Sequence, residues 1–296
     1  MAENGRTDAR EDRILPFQLE SGPVRGRVVR LGSAIDRILR PHPFSTPVKE
    51  LVGEAAALAA MMGASLKFSG RLTLQAQGDG PVPLLVADYW TDGRLRATAR
   101  VAHAPAPDAR GLGALVGRGH LAFTIDQGPD MDRYQGVAPI EGDSLAAAAA
   151  GYFARSEQIP TALSLVAGRV QRPGEGEVWR AGGVMAQLMP GGEGDRDLWA
   201  RAGALLETTQ ADELLDPDLS PERLLYRLFH EEGVRAFEAK DVRAWCGCDA
   251  GRIAAVLARY DEAALAGMVE DGFIRAACDF CRTEYLFDRH GREVAA

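Results

Sequence analysis

Four cysteines stand in the last fifth of the chain as Cys246-Gly247-Cys248 and, after a gap of twenty-nine residues, Cys278-Asp279-Phe280-Cys281; none precedes them. One thiolate pair at i, i+2 and another at i, i+3 can converge on a single ion. The tetrahedral all-sulfur set this makes is one that zinc prefers, at about 2.3 Å per bond. The spacing therefore marks Cys246, Cys248, Cys278 and Cys281 as metal ligands for one Zn2+ per chain. Four thiolates leave no open coordination position, so a catalytic metal is not expected. His290 is close in sequence and is read as a surface residue beside a complete ligand set.

The elements between the pairs must hold the sulfurs in place. Asp249 is an N-cap, and Ile253, Val256, Leu257 and Tyr260 fall on one helical face. Asp261 caps a second short helix, with Leu265, Met268 and Val269 turned inward and Gly272 as a left-handed stop. About fifty residues with two short helices bury little apolar surface, and domains of that size generally need a metal or disulfides. Metal binding and folding are expected to be one event.

The 296 residues carry a net charge of -8 and 46% hydrophobic residues. The acidic balance argues against nucleic acid, whose phosphates require a basic face. No apolar run long enough for a membrane span is found, and the polar start has no secretory pattern. Free thiols without an export signal fit a reducing cytoplasm.

Upstream, residues 1–13 read as a disordered tail. Phe17 to Leu39 suggests one strand running into a short helix, and Thr46-Pro47 opens an alanine-rich helix to about Met62. Alternating runs over Leu66–Val101, divided by Gly78-Asp79-Gly80 and Thr91-Asp92-Gly93, predict an antiparallel meander. His120–Asp126 and Tyr134–Ile140 form another pair, Asp143 or Ser144 starts a second alanine-rich helix, and Leu163–Val166 and Val178–Met189 are two more strands. Gly182-Gly183 is read as a bulge or close-packing site, and Ser156 as a turn residue with no histidine or elbow glycines to make it a nucleophile. Pro190 and the acidic glycines after it place a boundary. Beyond it Ser220-Pro221 starts a helix with the stripe Leu224, Leu225, Leu228 and Phe229, stopped by Gly233. The expected architecture is α+β: a mixed or antiparallel sheet core with packed helices over 14–191, a helical linker over 192–244 and a small zinc-binding domain over 245–296.

The sequence resembles the heat shock protein 33 family of redox-regulated chaperonins over nearly its whole length after the tail. The cysteine pairs carry the likeness together with Tyr285-Leu286-Phe287, Tyr134-Gln135-Gly136-Val137, Glu141-Gly142, Tyr152-Phe153, the run Ser156-Glu157-Gln158-Ile159-Pro160-Thr161, and Ala181-Gly182-Gly183. Arg282 departs from the pattern, standing after the last cysteine where zinc knuckles often have glycine. The resemblance implies a cytoplasmic, ATP-independent holdase and not an enzyme: inactive when reduced and zinc-bound, and activated when oxidants form the disulfides Cys246 to Cys248 and Cys278 to Cys281, release zinc and unfold the linker. Leu224, Leu225, Leu228 and Phe229 would then meet unfolded or oxidatively damaged clients, and the activated form would dimerise. The cysteine spacing by itself favours a permanent structural-zinc module that binds a partner, since most all-cysteine zinc sites are structural, and it is the rest of the pattern that points to the sensor.

Overall fold

The computed structural model describes residues 11–67, 69–128, 131–172, 174, 176–190 and 195–294. The tail as far as residue 10 and the glycine-rich joint 191–194 lie outside these residues. Contacts divide the chain into two compact units, Met1–Ala244 and Trp245–Ala296.

The first unit opens with β1 (Arg13–Leu19) and β2 (Val24–Leu31), followed by α1 (Ser33–Leu39) and α2 (Thr46–Gly63). The stretch from Phe17 thus holds a hairpin where one strand was expected, because Gly22-Pro23 reverses the chain. Glu11 to Arg13, expected in the tail, are part of the fold. Glu11 is buried and ion-paired to Arg172 and Arg180, and Asp12 accepts hydrogen bonds from Gly32, Ser33 and Ala34. Then come β3 (Arg71–Gly78), β4 (Leu84–Trp90), β5 (Arg94–Arg100), a short α3 (Gly111–Val116) absent from the expectations, β6 (Gly119–Asp126) and β7 (Tyr134–Pro139). Ser144 caps α4 (Leu145–Tyr152), which runs into a π-helical turn, and β8 (Thr161–Arg172) and β9 (Gly176–Leu188) make a long hairpin. The segment expected as a helical linker contributes α5 (Arg196–Glu207), α6 (Ala211–Leu215) and α7 (Pro221–Phe229), then three short strands, β10 (Val234–Ala236), β11 (Lys240–Asp241) and β12 (Arg243–Ala244).

These strands form two sheets. One has the order β10-β1-β2-β9-β8, with β11 also on β1; the other has the order β12-β5-β4-β3-β6-β7. The helix α2 lies between them, packed on β4 and β5 of one and on β8 and β9 of the other. A helix enclosed this way must be apolar all round, and every residue from Ala55 to Ala64 is buried. Its small side chains let both sheets approach. Ile14, Val29, Leu31 and Met185 join α2 in this first core.

Alternate residues of the same strands face the other way. Leu15, Phe17, Val28, Val184 and Ala186 form a second core with Leu198, Leu206, Leu214 and the α7 stripe. Period-2 alternation therefore puts neighbouring residues of β1 into different cores. Leu224, Leu225, Leu228 and Phe229 are all buried here, Phe229 stacking on Phe17 at 5.6 Å. Burial of each is worth about 1.5–3 kcal/mol. Gly182 is the close-packing site the sequence suggested, since a Cβ there would lie 2.5 Å from the carbonyl oxygen of Leu214 in α6.

The second unit contains α8 (Ala250–Leu257) and α9 (Glu262–Gly267), capped by Asp249 and Asp261 as expected. It also contains a sheet that the sequence did not announce: β13 (Val269–Glu270), β14 (Phe273–Ala277) and β15 (Glu284–Phe287). Gly272 is accordingly not a helix stop. With Asp271 at φ 51 and Gly272 at φ 87, the pair forms the tight β13–β14 turn that requires two left-handed residues. The inward face of α8 is also narrower than expected, for Leu257 is buried but Val256 and Tyr260 are exposed, as is Met268. The core is five buried side chains, Ala250, Leu257, Leu265, Ile274 and Phe287. Among the described residues, no helix is long and apolar enough to cross a membrane.

Candidate metal centre

Each cysteine pair sits at the edge of an element that fixes it. Cys246 and Cys248 lie in extended chain before α8, and Asp249 accepts a hydrogen bond from Arg252 N at 2.9 Å, setting where the helix begins. Cys278 and Cys281 occupy the turn from β14 to β15, closed by Cys278 N to Thr283 O and Arg282 N to Cys278 O, both 2.9 Å. Arg282 closes that turn at φ 59. A left-handed residue there explains why glycine suits the position, and a side chain costs about 1 kcal/mol.

The two loops bring all four sulfurs to one point. The Sγ atoms lie within 4.8 Å of one another, Cys246 to Cys278 at 3.6 Å and Cys248 to Cys281 at 3.4 Å. These contacts are far longer than a disulfide bond, and all four residues are free thiols. A tetrahedral ion with bonds of about 2.3 Å needs sulfurs roughly 3.8 Å apart, so the donors fit a metal with little rearrangement. Both of these contacts join one pair to the other. His290 takes no part: it is exposed and accepts from Arg289 Nε.

Two residues that the spacing did not point to touch the sulfurs. The Tyr285 hydroxyl donates to Cys248 Sγ at 3.2 Å, and Thr283 Oγ1 lies 3.1 Å from Cys281 Sγ. They stand two and four residues past the last cysteine, and Tyr285 belongs to the Tyr285-Leu286-Phe287 run already noted, though nothing in that run assigns it to the sulfurs. Burial and these hydrogen bonds together split the thiols electrostatically. Burial pushes Cys246 up to about 12, with the neighbouring sulfurs adding to it. Burial also acts on Cys281, but hydrogen bonds from the Thr283 side chain and backbone outweigh it and hold that thiol near 7. Cys248 is raised by burial, which the Tyr285 hydrogen bond partly offsets.

In the first unit, the motif residues Tyr134, Tyr152 and Glu157 come together as a structural brace. Glu157 Oε1 accepts from both hydroxyls, at 3.0 and 2.7 Å, and Gln158 ends the π turn in left-handed conformation. Ser156 has no catalytic partner among the described contacts.

A sequence model of the family described as "Hsp33 protein" matches residues 12–288. The chain belongs to the Hsp33 family. A 33 kDa chaperonin of Caulobacter vibrioides (strain NA1000 / CB15N) is 48% identical over 295 residues, covering 96% of this chain and 97% of its own. The 33 kDa chaperonin of Escherichia coli (strain K12 / DH10B) is 37% identical over 279 residues, covering 94% and 92%. The crystal structure of a 33 kDa chaperonin, the HSP33 homolog of Thermotoga maritima, shares the fold with a TM-score of 0.79 at 22% identity over 95% of this chain and 96% of that one. The chain is thus a chaperone of the Hsp33 family, with four clustered cysteines able to hold a metal ion and to form disulfides.

Proposed function

We propose that the protein is a cytoplasmic, redox-switched holdase that works without ATP and is not an enzyme. It divides into a core over 14–191, a linker over 192–244 and a zinc-binding sensor over 245–296. The observation that carries this reading is the convergence of four thiols in a unit whose core is only five side chains. So small a core depends on a cross-link between its loops.

Zn2+ held by Cys246, Cys248, Cys278 and Cys281 would supply that cross-link and keep the sulfurs as thiolates, the form oxidants attack. Hypochlorite or peroxide takes two electrons from each cysteine pair. Cys246 then bonds to Cys248 and Cys278 to Cys281, and the sulfurs cease to be ligands. The unit loses its fold and ceases to anchor residue 244. The linker that follows back from it carries Leu224, Leu225, Leu228 and Phe229, whose release exposes both their own apolar surface and the sheet face beneath, a surface suited to unfolding clients. The net charge of -8 keeps the opened chain soluble.

The deciding experiment couples zinc release, read with a chromogenic chelator, to light scattering of a heat-unfolding client. Zinc loss with suppressed aggregation only after oxidation is expected. Zinc that stays bound, or leaves with no gain in holding, would return the cysteines to a permanent structural module.

A further inference from the structure

The segment from Gly233 to Ala244 is neither helix nor loop. It runs as a strap along one edge of each sheet in the first unit. β10 pairs antiparallel with β1, matching Val234 to Leu19 and Ala236 to Phe17; β11 pairs with the same strand, Lys240 to Ile14; and β12 pairs in parallel with β5, Arg243 to Arg94. Backbone hydrogen bonds hold it between these points. Glu20 N donates to Gly233 O at 2.8 Å, Phe237 N to Pro16 O at 2.9 Å, Val242 N to Asp12 O at 2.8 Å and Arg243 N to Gly93 O at 2.8 Å.

Side chains add a few holds: Lys240 Nζ donates to the Ala64 carbonyl at 3.1 Å, Arg243 Nη1 donates to the Asp92 carbonyl at 2.8 Å, and Val234 and Ala239 rest half-buried on the second core. Of the strap, only Val242 is buried, while Arg235, Ala236, Phe237, Glu238, Lys240, Asp241 and Arg243 are all exposed. Pro16, which has no N–H to give, faces the strap, where an edge position tolerates it. An attachment made mostly of main-chain and exposed polar bonds, with one buried apolar side chain, lies at the low-stability end of a fold. It also reads almost no sequence, because any extended chain presents the same donors and acceptors. The strap ends at Ala244, two residues before the first ligand cysteine.

We infer that the edges of β1 and β5 covered by this strap are a client-binding surface, occupied after its release by an extended segment of unfolded polypeptide that adds itself as a strand. The inference rests on the switch proposed above and adds a second mode of capture to the apolar face. The strap is its own precedent for the occupant: an irregular sequence, without alternation, seated in extended conformation on both edges. Backbone capture would be indifferent to client sequence. Unpaired edges otherwise invite pairing with other chains, and the strap is what keeps them closed.

Hydrogen exchange of the oxidised full-length protein, with and without a chemically unfolded client, tests this. The Glu20 amide bonds to the strap directly, and alternation puts the Gln18 amide on the same edge. Oxidation is expected to speed their exchange, and client to slow it again by roughly tenfold or more. Client that is held while these amides stay fast, with protection confined to the α7 face, overturns the inference and leaves the holdase intact. Protection that needs no client and rises with protein concentration assigns the edges to a second copy and overturns it too. Oxidised protein that holds no client at all fails at the earlier step and removes both. A synthetic peptide of residues 234–244 gives an independent readout. It should compete with client, whereas the same peptide N-methylated at Phe237 and Val242 should not; equal competition by both, or none by either, excludes strand addition.

Discussion

Arg30 of β2 donates Nη1 to the carbonyl oxygen of Asp216 at 2.6 Å and Nη2 to that of Glu213 at 2.7 Å. One buried guanidinium thereby caps the last turn of α6 and ties the linker to the sheet. Arg30→Ala removes two charge-assisted bonds and leaves two carbonyls without partners, a loss of about 3 kcal/mol. Lysine cannot span both oxygens. Reduced Arg30→Ala and Arg30→Lys proteins are expected to show faster exchange over 211–219 and partial holdase activity; exchange and activity like the parent's would refute the latch.

Gly182 makes the same contact sensitive from the other side. A methyl group there meets the Leu214 carbonyl at 2.5 Å, so Gly182→Ala should lift α6 at a cost of about 1–3 kcal/mol. Limited proteolysis of the reduced protein reads this as new cleavage between 208 and 219, with the core fragment still resistant.

Replacing Leu228 and Phe229 together by Ser empties two wholly or nearly buried positions and buries hydroxyls among Phe17 and Val184. Losses of about 2–5 kcal/mol at each site exceed what the linker can bear. Linker protection should vanish in the reduced state, while α2 remains protected because it belongs to the other core. An unaltered protection pattern would dissociate the stripe from docking.

At the metal centre, Cys248→Ser removes a thiolate and the acceptor of the Tyr285 hydroxyl. Zinc stoichiometry measured after dialysis should fall, and residues beyond 240 should become protease-sensitive, as they should in the parent after chelation. Tyr285→Phe keeps all four ligands and is expected to bind zinc more weakly by about 10-fold or more, detectable by chelator competition.

The pH dependence of stability centres on Glu54 of α2, which burial, reinforced by Glu50 one turn earlier, pushes up to about 7. The unfolded chain loses this proton near 4.5, so between the two values the folded state holds more protons. Stability therefore falls as pH rises through that window, by up to about 3 kcal/mol. Glu54→Gln should flatten the profile and raise Tm at about pH 8 more than at about pH 5. An unchanged slope in thermal melts would show that Glu54 titrates normally.

The clustering of the four cysteines was legible because residue type and spacing point to it, and α2 and α7 because apolar periodicity leaves few alternatives. What escaped was set by tertiary pairing. β13 and β11 have two residues each, too short for any alternation to register, and their strand state comes from neighbours. The strap's Val234-Arg235-Ala236-Phe237 shows no pattern since its backbone does the binding. Gly272 misled because a left-handed glycine serves a helix end and a hairpin turn equally. Tyr285 and Thr283 act on the sulfurs only once β15 has folded back beside them.

Ile14 and Leu15 are adjacent in sequence and belong to different cores. A mutational scan of β1 should therefore sort by parity. Substitutions at Ile14 lower yield and abundance, whereas those at Leu15 and Phe17 leave folded protein whose threshold for activation is shifted. Under the proposed switch, one face of a strand sets the sensitivity of activation and the other holds the scaffold, at neighbouring codons.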